Sequence, residues 1–170
     1  SFKSDFVCSK IAELFDLLVQ KGWRLDGNRS FGANEIRFKT TGLYYLSVFI
    51  DEPPSYDNDG KPIRQTKVGC IKYQSLIDRD IALAIALGKI SLIWWASTGD
   101  DFDITSAGLG STPVDPRKLP MFQREKIAEL SQSLISEMSK YVIFTQYAGK
   151  WMGNYDIKCL RSITDQVDKE

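Results

Sequence analysis

The sequence predicts an α+β fold in which a small, mostly antiparallel sheet packs with several helices around an apolar central segment. Three observations carry that reading. Residues 80–105 form the most apolar run of the chain. Glu35-Ile-Arg-Phe-Lys alternates apolar and polar positions, and Tyr44-Tyr-Leu-Ser-Val-Phe-Ile is rich in aromatic and branched residues, as half-buried strands are. Residues 5–20 and 121–140 repeat apolar side chains at helical spacing.

Taken in order, residues 5–20 place Phe6, Ile11, Leu14, Phe15 and Leu18 on one face, with Ser4 or Asp5 available as a cap and Gly22 as a terminator. Residues 23–33 are polar and turn-prone and read as a loop. The two strand-like runs are expected to pair across a turn at Thr41-Gly42 as a hairpin. Residues 51–65 hold Pro53, Pro54, Pro62 and the turn signal Asp57-Asn-Asp-Gly, which makes a long exposed loop. Loops of that length are uncommon in compact domains unless they bind something or are disordered, so this one is a binding candidate. Residues 66–73 read as a third strand.

The central run should begin as a helix near Asp80, capped by Asp78 or Asp80, because its Ala and Leu residues lose little freedom in a helix. Gly88 allows a break or a close approach between helices. Ile90, Leu92, Ile93, Trp94 and Trp95 then look buried on all sides, as helix or strand. Gly88, Lys89 and Ser91 interrupt the run, so a protein interior suits it better than a membrane. Thr98-Gly-Asp-Asp-Phe-Asp-Ile-Thr should end the helix at Gly99 and return Phe102 and Ile104 to the core. Its three acids lack the Glu that a calcium loop requires at the twelfth position, and no metal is expected there. Pro120 suits the first position of a helix reaching about Lys140. Residues 141–147 extend that helix or form a short strand, residues 148–153 read as a loop, and Asp156 caps a last helix with Ile157, Leu160, Ile163 and Val167 turned inward.

The length of 170 residues fits one domain, 1–170, and a composition 43% hydrophobic and 26% charged is that of a globular chain. Lys plus Arg and Asp plus Glu are 22 each, so any nucleic-acid surface must be a local patch. Cys8, Cys70 and Cys159 form no Cys-x-x-Cys pair, which points to reduced thiols and a cytoplasmic location. The absence of histidine removes the commonest general base and metal ligand. Neither phosphate-binding glycine signature is present. No catalytic residue and no metal site is assigned. The opening at Ser1 suggests a piece excised from a larger protein.

Three segments then matter together: Ile81-Ala-Leu-Ala-Ile-Ala-Leu-Gly-Lys-Ile-Ser-Leu-Ile-Trp-Trp, Thr98-Gly-Asp-Asp-Phe-Asp-Ile-Thr, and Gly153-Asn-Tyr-Asp-Ile-Lys-Cys-Leu-Arg-Ser-Ile-Thr-Asp. In this order they resemble the C-terminal target-recognition region of N6-adenine DNA methyltransferases of bacterial restriction-modification systems, the type IIG enzymes among them. The resemblance covers residue 80 to the end. It implies that this part reads double-stranded DNA while an upstream methyltransferase domain of the same parent chain binds S-adenosylmethionine. The family's methyltransferase signature, Asn/Asp-Pro-Pro-Tyr/Phe, is absent, since the one Pro-Pro pair stands in Glu52-Pro-Pro-Ser. This chain itself is thus expected to hold no cofactor.

Side chains able to read bases or meet phosphates gather in three polar segments. They are Asn28, Arg29, Asn34, Arg37 and Lys39 in the first, Lys61, Arg64 and Lys67 in the second, and Lys150, Asn154, Tyr155 and Lys158 in the third. Two other classes stay open. A small metal-dependent nuclease could use Asp51, Asp57, Asp59 or the acids at 100, 101 and 103, although Glu35-Ile-Arg has Arg where such cores carry Lys. A protein-interaction domain is the other.

Overall fold

A computed structural model describes residues 9–27, 31–41, 45–99 and 103–170, and it has the α+β architecture expected. Helix α1 (Ser9–Gln20) turns only Phe15 fully inward, while Leu14, Leu17 and Val19 remain about half exposed. Gly22 ends it with a φ of 64°, a left-handed value that suits glycine. Strand β1 (Asn34–Lys39) pairs antiparallel along its whole length with β4 (Val68–Tyr73) and, over two residues, with β2 (Val48–Phe49). The expected strand at 44–50 is therefore shorter than its sequence suggests. Beyond Lys39 the chain leaves the hairpin path: the Thr40 amide donates to Lys67 O, and Thr40 O accepts from the Ile104 amide at 2.7 Å. Gly42 of the expected turn lies outside the described residues, as do Phe6 and Phe102.

Helix α2 (Leu76–Leu87) starts four residues before the expected point, because Ser75 rather than Asp78 or Asp80 caps it, its hydroxyl accepting from the Asp78 amide at 3.2 Å. Both acids are engaged elsewhere. Asp78 pairs with Arg124 at 2.9 Å, and the buried Asp80 accepts from Arg79 and from Gln132 at 2.6 Å. Residues 80–87 are all buried, and the helix lies on the inner face of the β2-β1-β4 sheet.

At Gly88 the chain bends by 66° into α3 (Lys89–Thr98). A methyl group on Gly88 would lie 2.6 Å from an Asp168 carboxylate oxygen, and that same oxygen accepts the Lys89 amide at 2.8 Å, capping α3 from the far end of the chain. The second half of the central run is less buried than its composition implies. Ser91, Trp94 and Ser97 face inward, whereas Leu92, Ile93 and Trp95 are only half-buried. The inward serines satisfy their hydroxyls on Ile85 O and Ile93 O, which lets α3 pack closely. Gly99 ends α3 and Ile104 returns to the core, as expected.

Thr105 caps the short α4 (Ser106–Gly110). Helix α5 (Met121–Met138) has Pro120 at the cap rather than at the first helical position, with an extended ψ of 146°, and ends two residues before Lys140. The Ser131 hydroxyl donates to Asp80 O at 2.6 Å, drawing α5 against α2.

Strands β5 (Val142–Tyr147) and β6 (Lys150–Tyr155) form a hairpin where a loop was expected at 148–153. Ala148 and Gly149, with φ of 47° and 76°, make the two-residue turn, whose left-handed pair matches strand twist. The two-residue β3 (Ser55–Tyr56) joins the other side of β6, so the segment 51–65 is a pinned excursion rather than a free loop. Asp156 caps a 3-10 turn at Ile157–Leu160, which runs into α6 (Arg161–Val167). Leu160 and Val167 are buried, with Ile157 and Ile163 packed beside them.

One continuous apolar cluster contains residues of both sheets, α2, α4, α5 and α6. Among the described residues no single helix is long and apolar enough to cross a membrane. Cys70 and Cys159 are free thiols.

Candidate nucleic-acid interface

The second sheet, β3-β6-β5, meets the outer face of the first through one polar junction. Lys39 reaches from β1 to donate to Gly153 O at 2.8 Å and to Asn154 Oδ1. Gln65 reaches from the 51–65 segment to the same Gly153 carbonyl at 3.0 Å, to Ser55 Oγ at 3.1 Å and to Pro53 O at 3.2 Å. Its own amide is accepted by Glu52. Tyr155 donates to Asp51 O at 3.1 Å, and its ring stands edge-on to Phe49. Gly153 has to be glycine, since a methyl there would sit 2.0 Å from the Pro54 carbonyl oxygen.

Burial pushes the Lys39 ammonium down to about 8, opposed in part by the Glu52 carboxylate. Burial raises the Tyr155 phenol, with the Asp51 charge adding to it.

These contacts sort the sequence candidates. Lys39 and Tyr155 spend their polar atoms inside the junction and Asn154 spends its Oδ1 there, and Asn34 donates to Gln74 O at 3.0 Å, closing the end of the β1–β4 ladder. Asn28 and Arg29 lie outside the described residues. Arg37 keeps 42% of its side chain exposed and donates to Glu35 at 2.7 Å, a bond that raises the guanidinium above its usual range. Lys61, Arg64 and Lys67 are exposed and form no ion pair with a described residue.

Arg37 and Arg64 together flank an open groove of about 400 Å³ walled by Pro53, Pro54, Tyr56 and Pro62. The excursion that carries Lys61 and Arg64 is held in shape at its tip and at its exit. Asp57 accepts the amides of Asp59 at 2.9 Å and Lys61 at 2.8 Å, and Gln65 anchors its exit. Its tip lies against the β5–β6 turn, where a methyl on Gly149 would meet the Asn58 side chain at 2.6 Å, and Lys150 follows that turn, exposed. Lys158 sits beyond the other end of β6. It lines a separate hollow of about 160 Å³ with Lys89 and Arg161.

The sequence reading missed Phe144 and Tyr147 among the exposed aromatic side chains of this second sheet. Tyr147 is 75% exposed, Phe144 and Trp151 are each 44% exposed, and Tyr56 packs on Phe144 at 5.9 Å. The available signal was Ala148-Gly149 directly after a run rich in aromatic and branched residues, a place where a tight hairpin turn can form. Among the described residues no three Asp, Glu or Cys side chains gather as a metal site would need, and the Asp57 carboxylate is committed to its own turn. No protein-family model, curated protein or solved structure matches this chain.

Proposed function

We propose that the chain is a DNA target-recognition module of a larger adenine-specific methyltransferase of a restriction-modification system, working in the cytoplasm beside an upstream domain that binds S-adenosylmethionine. In this reading it contributes no catalytic group. What supports the reading is the resemblance of its last 90 or so residues together with one structural observation. Lys61, Arg64 and Lys67 stand exposed and without ion-pair partners among the described residues, on a segment whose backbone is fixed to both sheets. A cation held in place before binding loses little freedom when it meets a phosphate or a base edge. Arg37 and Arg64, as planar forks flanking one groove, suit guanine O6 and N7. Lys61, Lys67 and Lys150 suit phosphates as point charges.

The test joins the chain to its methyltransferase domain and follows methylation of a random-sequence duplex library. Arg64→Ala and Arg37→Ala should alter the preferred site, by about 1–3 kcal/mol of discrimination at one position. Lys61→Ala and Lys150→Ala should weaken all sequences alike. If none of the four changes either site choice or affinity, the recognition reading is wrong.

A further inference from the structure

Strand β5 is the outer strand of the second sheet, on the side away from β3 and the cation-bearing segment, and no described strand pairs with its outer edge. Tyr141 O accepts the Asp156 amide at 2.8 Å, which makes Tyr141 and Asp156 a hydrogen-bonded pair. The pairs Ile143–Asn154, Thr145–Met152 and Tyr147–Lys150 follow it at alternate positions of the antiparallel ladder. The amides and carbonyls of Val142, Phe144 and Gln146 therefore point outward, and no described residue bonds them. Natural edges of this kind are blunted by lysine, proline or a bulge. Residues 141–147, Tyr-Val-Ile-Phe-Thr-Gln-Tyr, contain no charge, no proline and no glycine. Tyr141, Ile143, Phe144 and Tyr147 are 39%, 45%, 44% and 75% exposed.

We infer that this edge is a homodimer interface in which β5 pairs antiparallel with β5 of a second copy about a two-fold axis at Phe144. A two-fold axis perpendicular to the sheet keeps the same faces of both copies together, so residues of equal parity must oppose each other. The outward groups are symmetric about Phe144. Phe144 opposes Phe144 of the second copy, and Val142 opposes its Gln146, so every outward amide and carbonyl is used, in about six bonds. Between them, Ile143 faces Thr145 and Tyr141 faces Tyr147, branched and aromatic pairs of the kind that stabilise sheets. No charge meets a like charge along the strand. The product is a continuous six-stranded sheet, β3-β6-β5-β5-β6-β3, with the cation-bearing segments at its two outer ends.

Sedimentation equilibrium of the 170-residue chain should give twice 19.3 kDa at high protein concentration and the monomer mass on dilution. Gln146→Pro removes one outward amide without touching the ladder to β6, and it should raise the dimer dissociation constant at least tenfold with the melting temperature of the dilute monomer unchanged. Phe144→Lys, which sets like charges opposite each other on the axis, should likewise raise the dimer dissociation constant. A chain that stays monomeric throughout, a dimer indifferent to both substitutions, or growth past the dimer into open-ended assemblies overturns the inference. So does an edge that pairs only with an added extended peptide.

Discussion

At the scale of single residues, Lys39 shows how a charge can be spent on architecture. Its ammonium is taken half out of water to hold Gly153 and Asn154, and the burial that allows this lowers it to about 8. In the unfolded chain it titrates near 10.4. Between these values the unfolded state binds more protons than the folded one, so stability should rise with pH from about 8 to above 10 and be flat with respect to this group below 8. Deprotonation keeps the junction intact, because a neutral amine still has two hydrogens for its two acceptors. Urea titrations at pH 7, 9 and 10 check this. Lys39→Met should remove the rise, and a wild-type stability that falls across the window would refute the account.

Trp94 is 8% exposed, stands edge-on to Phe15 at 5.2 Å and donates to Ser111 at 2.9 Å. Trp94→Ala should cost about 3–5 kcal/mol, in the range of other large core aromatics. The half-buried Trp95 should cost clearly less in the same denaturant titration.

At the scale of elements, the hairpin turn makes a prediction in the opposite direction. Ala148 holds a φ of 47°, which costs an L-residue roughly 1–2 kcal/mol and which Asn tolerates far better. Ala148→Asn gives the Asn-Gly pair preferred in such turns and should stabilise the protein by about 0.5–1 kcal/mol, read as a rise in the urea midpoint at constant slope. The same turn marks what was hard to read in the sequence. Helices α1 and α5 and strand β1 announce themselves by period, because each has one face on the core, whereas α2, buried all along residues 80–87, was legible from its Ala and Leu residues. Strand β5 has almost no buried face, so its Tyr-Val-Ile-Phe-Thr-Gln-Tyr pattern carries no alternation to find. The start of α2 was misplaced for a different reason. Asp78 and Asp80 look like caps, yet Arg124 and Gln132 claim them from α5, a tertiary choice invisible locally. Of the candidate site, the exposed Lys61, Arg64 and Lys67 were legible as polar residues of a long loop. That Lys39, Asn154 and Tyr155 would be consumed by the sheet junction was not, since it depends on two strands 114 residues apart meeting at Gly153.

At the scale of the whole molecule, equal numbers of acidic and basic residues leave no general attraction to a polyanion. Any DNA affinity of the proposed module must then come from a few local cations, and the salt dependence should count them. If Lys61, Arg64, Lys67 and Lys150 each meet one phosphate, the logarithm of the binding constant should fall against the logarithm of salt with a slope of about −3 to −4. Each substitution of one of these four by Ala should reduce the slope by about 1. Lys126→Ala should leave it unchanged, since that side chain lies on α5 and pairs with Glu129 at 3.8 Å. The measurement belongs in the Gln146→Pro background, where one protomer is counted at a time, and uses fluorescence anisotropy of a labelled duplex between about 50 and 200 mM salt. A slope near zero, or one that Lys126→Ala lowers as much as Lys61→Ala does, would mean that the exposed cations of this segment are ordinary solvated charges, as most surface lysines are.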